Sequence, residues 1–208
     1  MDVYQAIFTR RDVRRFRPDP VPEDVLTRIL DAGHHAGSVG FMQPWNFIIV
    51  RDPAKRSAVK AVFERENAAA AENYAGERRE LYDSLKLEGI LESALNLCVT
   101  CDRSRGGVVL GRNSILDTDL YSTCCAVQNL WLAARAEGVG IGWVSIVDPG
   151  VLSELLLLPQ SVVPVAYLCC GYPVEFGKQP MLEEVGWRDR LPLDKVVFYE
   201  RWGRTERT

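Results

Sequence analysis

Apolar and polar positions along this chain change period several times, and each change marks an element. Asp2 to Thr9 alternates as an amphipathic helix with Val3, Ala6 and Ile7 on one side. Pro18, Pro20 and Pro22 then impose an extended linker, because proline fixes φ and biases the residue before it away from helix. Glu23 to Ala36 returns to helical spacing through Val25, Ile29, Leu30 and Gly33, and Gly37-Ser38-Val39-Gly40 breaks it. Asn46 to Arg51 is β-branched and apolar, which predicts a buried strand. Pro53 to Phe63 is helical again.

Glu64 to Lys86 is different. It is rich in Ala, Glu and Arg, with little apolar periodicity beyond Tyr74, Leu81, Tyr82 and Leu85. Such a helix is weakly attached to a core and reads as a solvated excursion or a lid, placed at about 64–90. Leu95 to Asp102 predicts a second strand, and Gly106 to Asp117 a loop. Leu120 to Glu137 is apolar around most of its circumference, through Tyr121, Cys124, Cys125, Val127, Leu130 and Trp131. A helix of that kind is central or lies at a subunit interface, and Gly138 supplies its stop. Ile141 to Ile146 and Val162 to Cys170 predict two further strands, separated by a helix from Pro149 to Leu158. Strands and helices mix without a regular βαβ repeat, so the fold class is α+β.

Composition narrows the reading. The 208 residues suit one sizeable core and leave little room for two, so 1–208 is expected to be a single domain. Apolar residues make up 47% and charged residues 25%, as in an ordinary globular enzyme. A net charge of −3 offers no general attraction to nucleic acid or acidic membrane. No apolar run approaches the ~18 residues that span a bilayer, and Met1 to Gln5 lacks the order of a signal peptide, so the expected location is the cytoplasm. Cys98 and Cys101 form a Cys-x-x-Cys inside a predicted strand, without a second pair or a His-x3-His, so no metal site is expected. Cys124, Cys125, Cys169 and Cys170 read as buried thiols acting as small hydrophobes.

Candidate chemistry concentrates in a few stretches. Arg10, Arg11 and Arg14 lie within five positions where the first helix ends. Guanidinium forks match phosphate oxygens, so the cluster is either a phosphate clamp or a solvated basic face favoured by the helix dipole. Asp12 in its midst should have its pKa driven down by its neighbours, leaving a persistent anion usable as a base, or else a simple ion pair. Ser38 to Phe47 gathers Phe41, Met42, Gln43 and Trp45 around turn formers. It offers apolar walls and polar anchors to a flat ring, or places Phe41 and Trp45 as core plugs. Gly138 to Asp148 is glycine-rich without the dinucleotide spacing, and its glycines let backbone approach a neighbour closely. Ser145 lacks a nucleophile-elbow context, and His34 and His35 read as a partly buried pair. Arg188 and Arg190 form a second small basic group before Pro192.

Three of these stretches, in order, resemble the motifs of the FMN-dependent nitroreductase superfamily: Arg10 to Arg14, Gln43 to Phe47, and Arg188 to Pro192. The chain is further similar to the 5,6-dimethylbenzimidazole synthase branch. The similarity lies in Arg-Arg-Asp-Val-Arg, in Ser38 to Phe47, in Tyr82 to Ile90, in Leu97 to Arg103, in Asp119 to Thr123, in Ala126 to Gly138, in Gly142 to Ile146 and in Gly186 to Leu193. The resemblance implies a nitroreductase-like fold with a central mixed or antiparallel sheet flanked by helices, a helical lid, and a homodimer with flavin sites at the interface. It implies that reduced FMN is both ligand and substrate. Oxygen then acts as co-substrate, a separate flavin reductase supplies the reduced flavin, and the products are 5,6-dimethylbenzimidazole and a tetrose phosphate. In the branch C2 of the benzimidazole comes from the ribityl chain. Asp12, where other nitroreductases carry Ser, and Ser145 are the implied catalytic pair. Arg10, Arg11, Asp12, Val13, Arg14, Ser38, Met42, Gln43, Ser145, Arg188 and Arg190 are the implied flavin contacts. The alternatives are an FMN-dependent NAD(P)H nitroreductase or flavin reductase, and a non-catalytic FMN-binding module. The chain departs from the branch at Arg15, Gly37, Asn73, Asn113 to Thr118 and Gly171-Tyr172-Pro173.

Overall fold

β2 (Leu95–Asp102) is buried along both faces, and the fold is assembled around it. The computed structural model describes residues 1–206, in two compact units, Met1–Phe176 and Gly177 onward. In the first unit β2 pairs antiparallel with β1 (Trp45–Val50) on one side and with β4 (Val162–Gly171) on the other. β3 (Gly140–Val144) adds antiparallel to β4, which gives the order β1-β2-β4-β3.

Successive residues of a strand point to opposite faces, so β2 serves two cores at once. Leu95, Leu97 and Val99 join Leu26 and Ile29 of α2 (Glu23–His34) and Val127, Leu130 and Ala134 of α5 (Thr118–Ala136). On the other face Cys98, with Tyr167 and Cys169 of β4, meets Val59 and Phe63 of α3 (Pro53–Ala71) and Leu152 of α6 (Pro149–Leu155). This double burial is why β2 reads as an unbroken apolar run. The odd spacing of Cys98 and Cys101 puts them on opposite faces, where they cannot share an ion. Burial pushes the Cys98 thiol up to about 12, which makes it an inert hydrophobe at neutral pH.

The architecture is α+β with an antiparallel sheet, and several local expectations need correction. β1 is an edge strand with only Trp45 and Val50 buried, because just one side of it is paired. The third helix does not stop at Phe63. Its Ala-rich continuation keeps helical propensity without needing a core, and runs on to Ala71. α4 (Gly76–Ser84) then packs back on α3. In α1 (Val3–Thr9) Ala6 alone is buried, while Val3 and Ile7 are exposed. α5 buries one side only. Tyr121, Cys124, Cys125 and Gln128 form an exposed stripe, so Cys124 and Cys125 are not the buried thiols their apolar context suggests. His34 and His35 are both exposed, although His34 Nδ1 accepts from Trp45 Nε1 at 3.1 Å. The second unit carries α7 (Met181–Glu184) and one short 3-10 turn. No helix among the described residues is long and apolar enough to cross a membrane.

Candidate active site

The site begins where α1 ends. Arg10 caps that helix, its N–H donating to the Ala6 carbonyl at 2.9 Å. From there the chain runs as an extended strap along β3. Asp12 bridges Ile141 in parallel, and the Val13 N–H donates to the Ile141 carbonyl at 2.9 Å. α5 holds the strap from behind: Trp131 Nε1 donates to the Arg11 carbonyl at 3.2 Å and Arg135 Nε to the Thr9 carbonyl at 3.1 Å. The approach requires bare backbone on β3. A Cβ on Gly140 would lie 2.7 Å from Val13 Cγ2. One on Gly142 would collide with the Val13 carbonyl and lie 2.6 Å from Arg14 Nη1. The glycine-rich run therefore acts as its composition implied, by admitting a neighbour's backbone.

Asp12 is held at the far end of β3. Its Oδ1 accepts from the Trp143 N–H at 2.8 Å and from Arg14 Nη1 at 2.9 Å, and its Oδ2 accepts from Arg14 Nη2. Arg14 Nη2 also donates to the Trp143 carbonyl at 2.8 Å, so one guanidinium fixes the carboxylate in two-pronged geometry against the strand. The expected direction of the Asp12 pKa is reversed. Burial pushes it above the ordinary value and outweighs the downward pull of Arg14, the Trp143 N–H and Arg10. The strap lies edge-on to β3, and the strand strips water from one side of the carboxyl. The other side stays open, since 42% of the side chain is exposed, and a substrate can reach it there.

Ser145 lies just past β3, two residues beyond the Trp143 peptide that orients Asp12 and Arg14. It is exposed and lines a cleft of about 260 Å³ with Val144, Val147, Leu152, Ala166 and Tyr167. The implied catalytic pair thus shares one end of one strand. Arg10 lays its guanidinium 4.8 Å from the Trp131 ring centroid, and Arg11 Nη1 donates to the Phe8 and Arg10 carbonyls. The buried Nε of Arg14 has no hydrogen-bond partner among the described residues. Guanidinium groups of this kind, one with a spare buried donor, match acceptor oxygens such as those of a phosphate or of a flavin ring carbonyl.

The second motif lies elsewhere. Ser38 Oγ accepts from the Gln43 N–H at 3.2 Å, and the Val39 N–H donates to Ser122 Oγ of α5 at 3.2 Å. Arg105 Nη1 donates to the Gln43 and Trp45 carbonyls at 2.7 and 2.8 Å, and its Nη2 to Asn46 Oδ1. These bonds hold the loop in a shape with positive φ at Phe41 and Gln43 (52° and 47°). Met42 and Trp45 are buried, but Phe41 is 82% exposed and plugs nothing. Ser122 and Trp131, which anchor the loop and the strap, are nine residues apart on α5, about 13 Å along its axis. One chain does not bring Ser38, Met42 and Gln43 to Arg10–Arg14. Arg188 and Arg190 are exposed in the second unit.

With this geometry in view, residues 7–172 match the model of the nitroreductase family. The chain belongs to that family, in its 5,6-dimethylbenzimidazole synthase branch. It is 45% identical to 5,6-dimethylbenzimidazole synthase of Rhodospirillum rubrum over 193 residues, 92% of each chain. It is 45% identical to the Rhodobacter capsulatus synthase over 186 residues, 89% of this chain and 90% of that one. Among solved structures it is similar to oxidised iodotyrosine deiodinase bound to FMN and 3-iodo-L-tyrosine. There the TM-score is 0.76 at 23% identity, covering 97% of this chain and 100% of that one.

Family motifs do not single out the residues that do much of the positioning. Trp143 acts through its backbone, Trp131 through its indole N–H, Arg105 through carbonyls and Gly142 through an absent side chain. The branch blocks Ala126 to Gly138 and Gly142 to Ile146 contain Trp131, Gly142 and Trp143 without marking their roles, and the glycine spacing in β3 signals only the close approach.

Proposed function

We propose that this protein uses molecular oxygen to fragment reduced FMN into 5,6-dimethylbenzimidazole and a tetrose phosphate. The observation that carries the proposal is an aspartate, not a serine, fixed to the end of β3 that Ser145 follows, in a chain 45% identical to a 5,6-dimethylbenzimidazole synthase over 92% of its length. FMN supplies both the ring system that reacts with oxygen and the ribityl carbon that becomes C2. The protein's part is to bind, orient and move protons. Arg10, Arg11 and Arg14, with Val13 behind them, present the strap to the flavin. Asp12, with both oxygens accepting hydrogen bonds, takes a proton at its open side. The Ser145 hydroxyl offers a donor and an acceptor to the ring.

In this reading Ser38, Met42 and Gln43 serve a flavin bound on a second copy of the chain. The separation of loop and strap along α5 supports a homodimer, as does the exposed stripe of Tyr121, Cys124 and Cys125. Arg188 and Arg190 serve as further flavin contacts, the lid expected at about 64–90 narrows to 64–84 because Glu88 and Ile90 are fastened to α3, and a separate reductase delivers the reduced flavin. The protein works in the cytoplasm.

Chemically reduced FMN mixed with the protein in air, followed by mass spectrometry, tests the proposal. Dimethylbenzimidazole is the expected product. Recovery of intact FMN alone would leave the second reading, an NAD(P)H-dependent flavin reductase or nitroreductase. Sedimentation tests the dimer, and a monomer at working concentration removes it.

A further inference from the structure

Residues 64–84 are bracketed by two oppositely charged side chains that meet beneath them. Lys60 precedes the excursion on α3, and Glu88 follows it after α4. Lys60 Nζ lies 2.6 Å from Glu88 Oε1, with the side chains only 25% and 11% exposed. Glu88 Oε2 accepts from the Ile90 N–H at 2.7 Å. One turn back on α3, Arg56 donates to the Ile90 carbonyl through Nε (3.0 Å) and Nη2 (2.6 Å), and to the Ser93 carbonyl at 2.5 Å. Asn96 Nδ2 also donates to the Ile90 carbonyl, at 3.1 Å, while its Oδ1 accepts from Tyr167 Oη at 2.9 Å. The segment after the excursion is thereby fastened to α3 and to the sheet. Between its anchors lies Gly89, where a Cβ would sit 2.6 Å from Phe16 Cε2 and 3.0 Å from the Arg14 carbonyl. The backbone at 89 is the wall on which the end of the strap rests.

We infer that Lys60 and Glu88 are positioning residues: their ion pair clasps the root of the 64–84 excursion and, through Gly89, sets where Arg14 holds Asp12. Replacing a partly buried ion pair by well-packed apolar side chains is often neutral for stability, so the role we assign to this pair is to fix position. Its geometry fixes the spacing between α3 and residue 88 to one value, and a shift at 88 displaces the Arg14 backbone.

The catalytic arm of the test rests on the function proposed above; the exchange arm does not. Glu88→Gln keeps an acceptor for the Ile90 N–H and removes the charge, and Lys60→Met keeps length and removes the charge. In both, hydrogen exchange at the amides of 64–84 and of Val13 should quicken about tenfold. The fraction of reduced FMN converted to dimethylbenzimidazole, as against reoxidised flavin, should fall on the order of tenfold with KM for reduced FMN little changed. The double variant Lys60→Met/Glu88→Gln removes both charges while keeping an acceptor for the Ile90 N–H, and should recover the melting temperature while the product fraction stays low. A product fraction that recovers with the melting temperature would overturn the inference, because the pair would then serve stability alone. Should the wild type make no dimethylbenzimidazole, the proposed function fails while the exchange arm still decides. Unchanged exchange at 64–84 and Val13 sinks the clasp.

Discussion

The strap Arg10–Arg14 and the excursion 64–84 are both rich in charge, yet they are attached to the molecule in opposite ways. The strap makes its bonds outward. Besides the Arg14–Asp12 pair within it, its peptide groups and side chains reach Ile141, Trp143 and Trp131, all far away in sequence. The excursion holds several bonds within itself, beside the Lys60–Glu64 pair at its root (3.6 Å). Arg79 pairs with Asp83 and donates to the Ala71 carbonyl, Asn73 donates to Ala70, and Tyr82 Oη donates to Asn67 at 2.7 Å and stacks on Tyr74 at 4.8 Å. Bonds that close within a segment survive its movement as a unit, whereas the strap cannot move without breaking its bonds to β3. Charge content is therefore a poor guide to rigidity; what matters is whether the partners belong to the same segment.

The contrast can be broken most severely from the strap side. Gly142→Ala places a Cβ against the Val13 carbonyl and Arg14 Nη1. It should cost on the order of 3 kcal/mol in thermal melts and abolish product formation, and a variant with wild-type stability would refute the close fit. Asp12→Asn should leave flavin binding within a few-fold, but lower product formation about 100-fold or more. Flavin titration beside mass-spectrometric product yield checks both halves, and an unchanged yield takes Asp12 out of the mechanism.

The root of the excursion responds to pH. Burial opposes ionisation of Glu88, but the hydrogen bonds from Lys60 and the Ile90 N–H overcome it and hold the carboxyl below its ordinary 4.5. A depressed folded pKa means a contribution that is complete above pH 4.5 and lost as pH falls through the folded value. Acid melts of the wild type should therefore lose more stability over that window than those of Glu88→Gln, and parallel acid limbs would contradict it. The mildest change is Tyr82→Phe, which removes one hydrogen bond to Asn67. It should cost about 1 kcal/mol locally, speed hydrogen exchange within 64–84, and leave the Val13 amide untouched. Faster exchange at Val13 would show that the two regions are not separately attached.

Legibility followed the same division. β2 reads correctly to the residue, because a strand buried on both faces needs apolar side chains throughout. The glycines of β3 announce a close neighbour but not which one. The Ala-rich stretch past Phe63 reads as a separate, weakly attached helix by apolar periodicity, yet it continues α3 to Ala71 because Ala, Glu and Arg favour helix without a core. α5 reads as apolar nearly all round, yet a single chain covers only one side of it, and Tyr121, Cys124 and Cys125 remain exposed.

The chain by itself determined the α+β class, the central strand, and the kind of chemistry available: guanidinium groups around one carboxylate, with a hydroxyl to follow. Those properties belong to residue types and to neighbours along the backbone. Tertiary structure decided that Asp12 titrates above its ordinary value, that Ser145 shares its end of β3, and that Ser38 to Gln43 lie at another level of α5. Loss of water and the meeting of distant groups are set by neighbours in space. No local pattern at Asp12 announces the strand that strips water from its carboxyl.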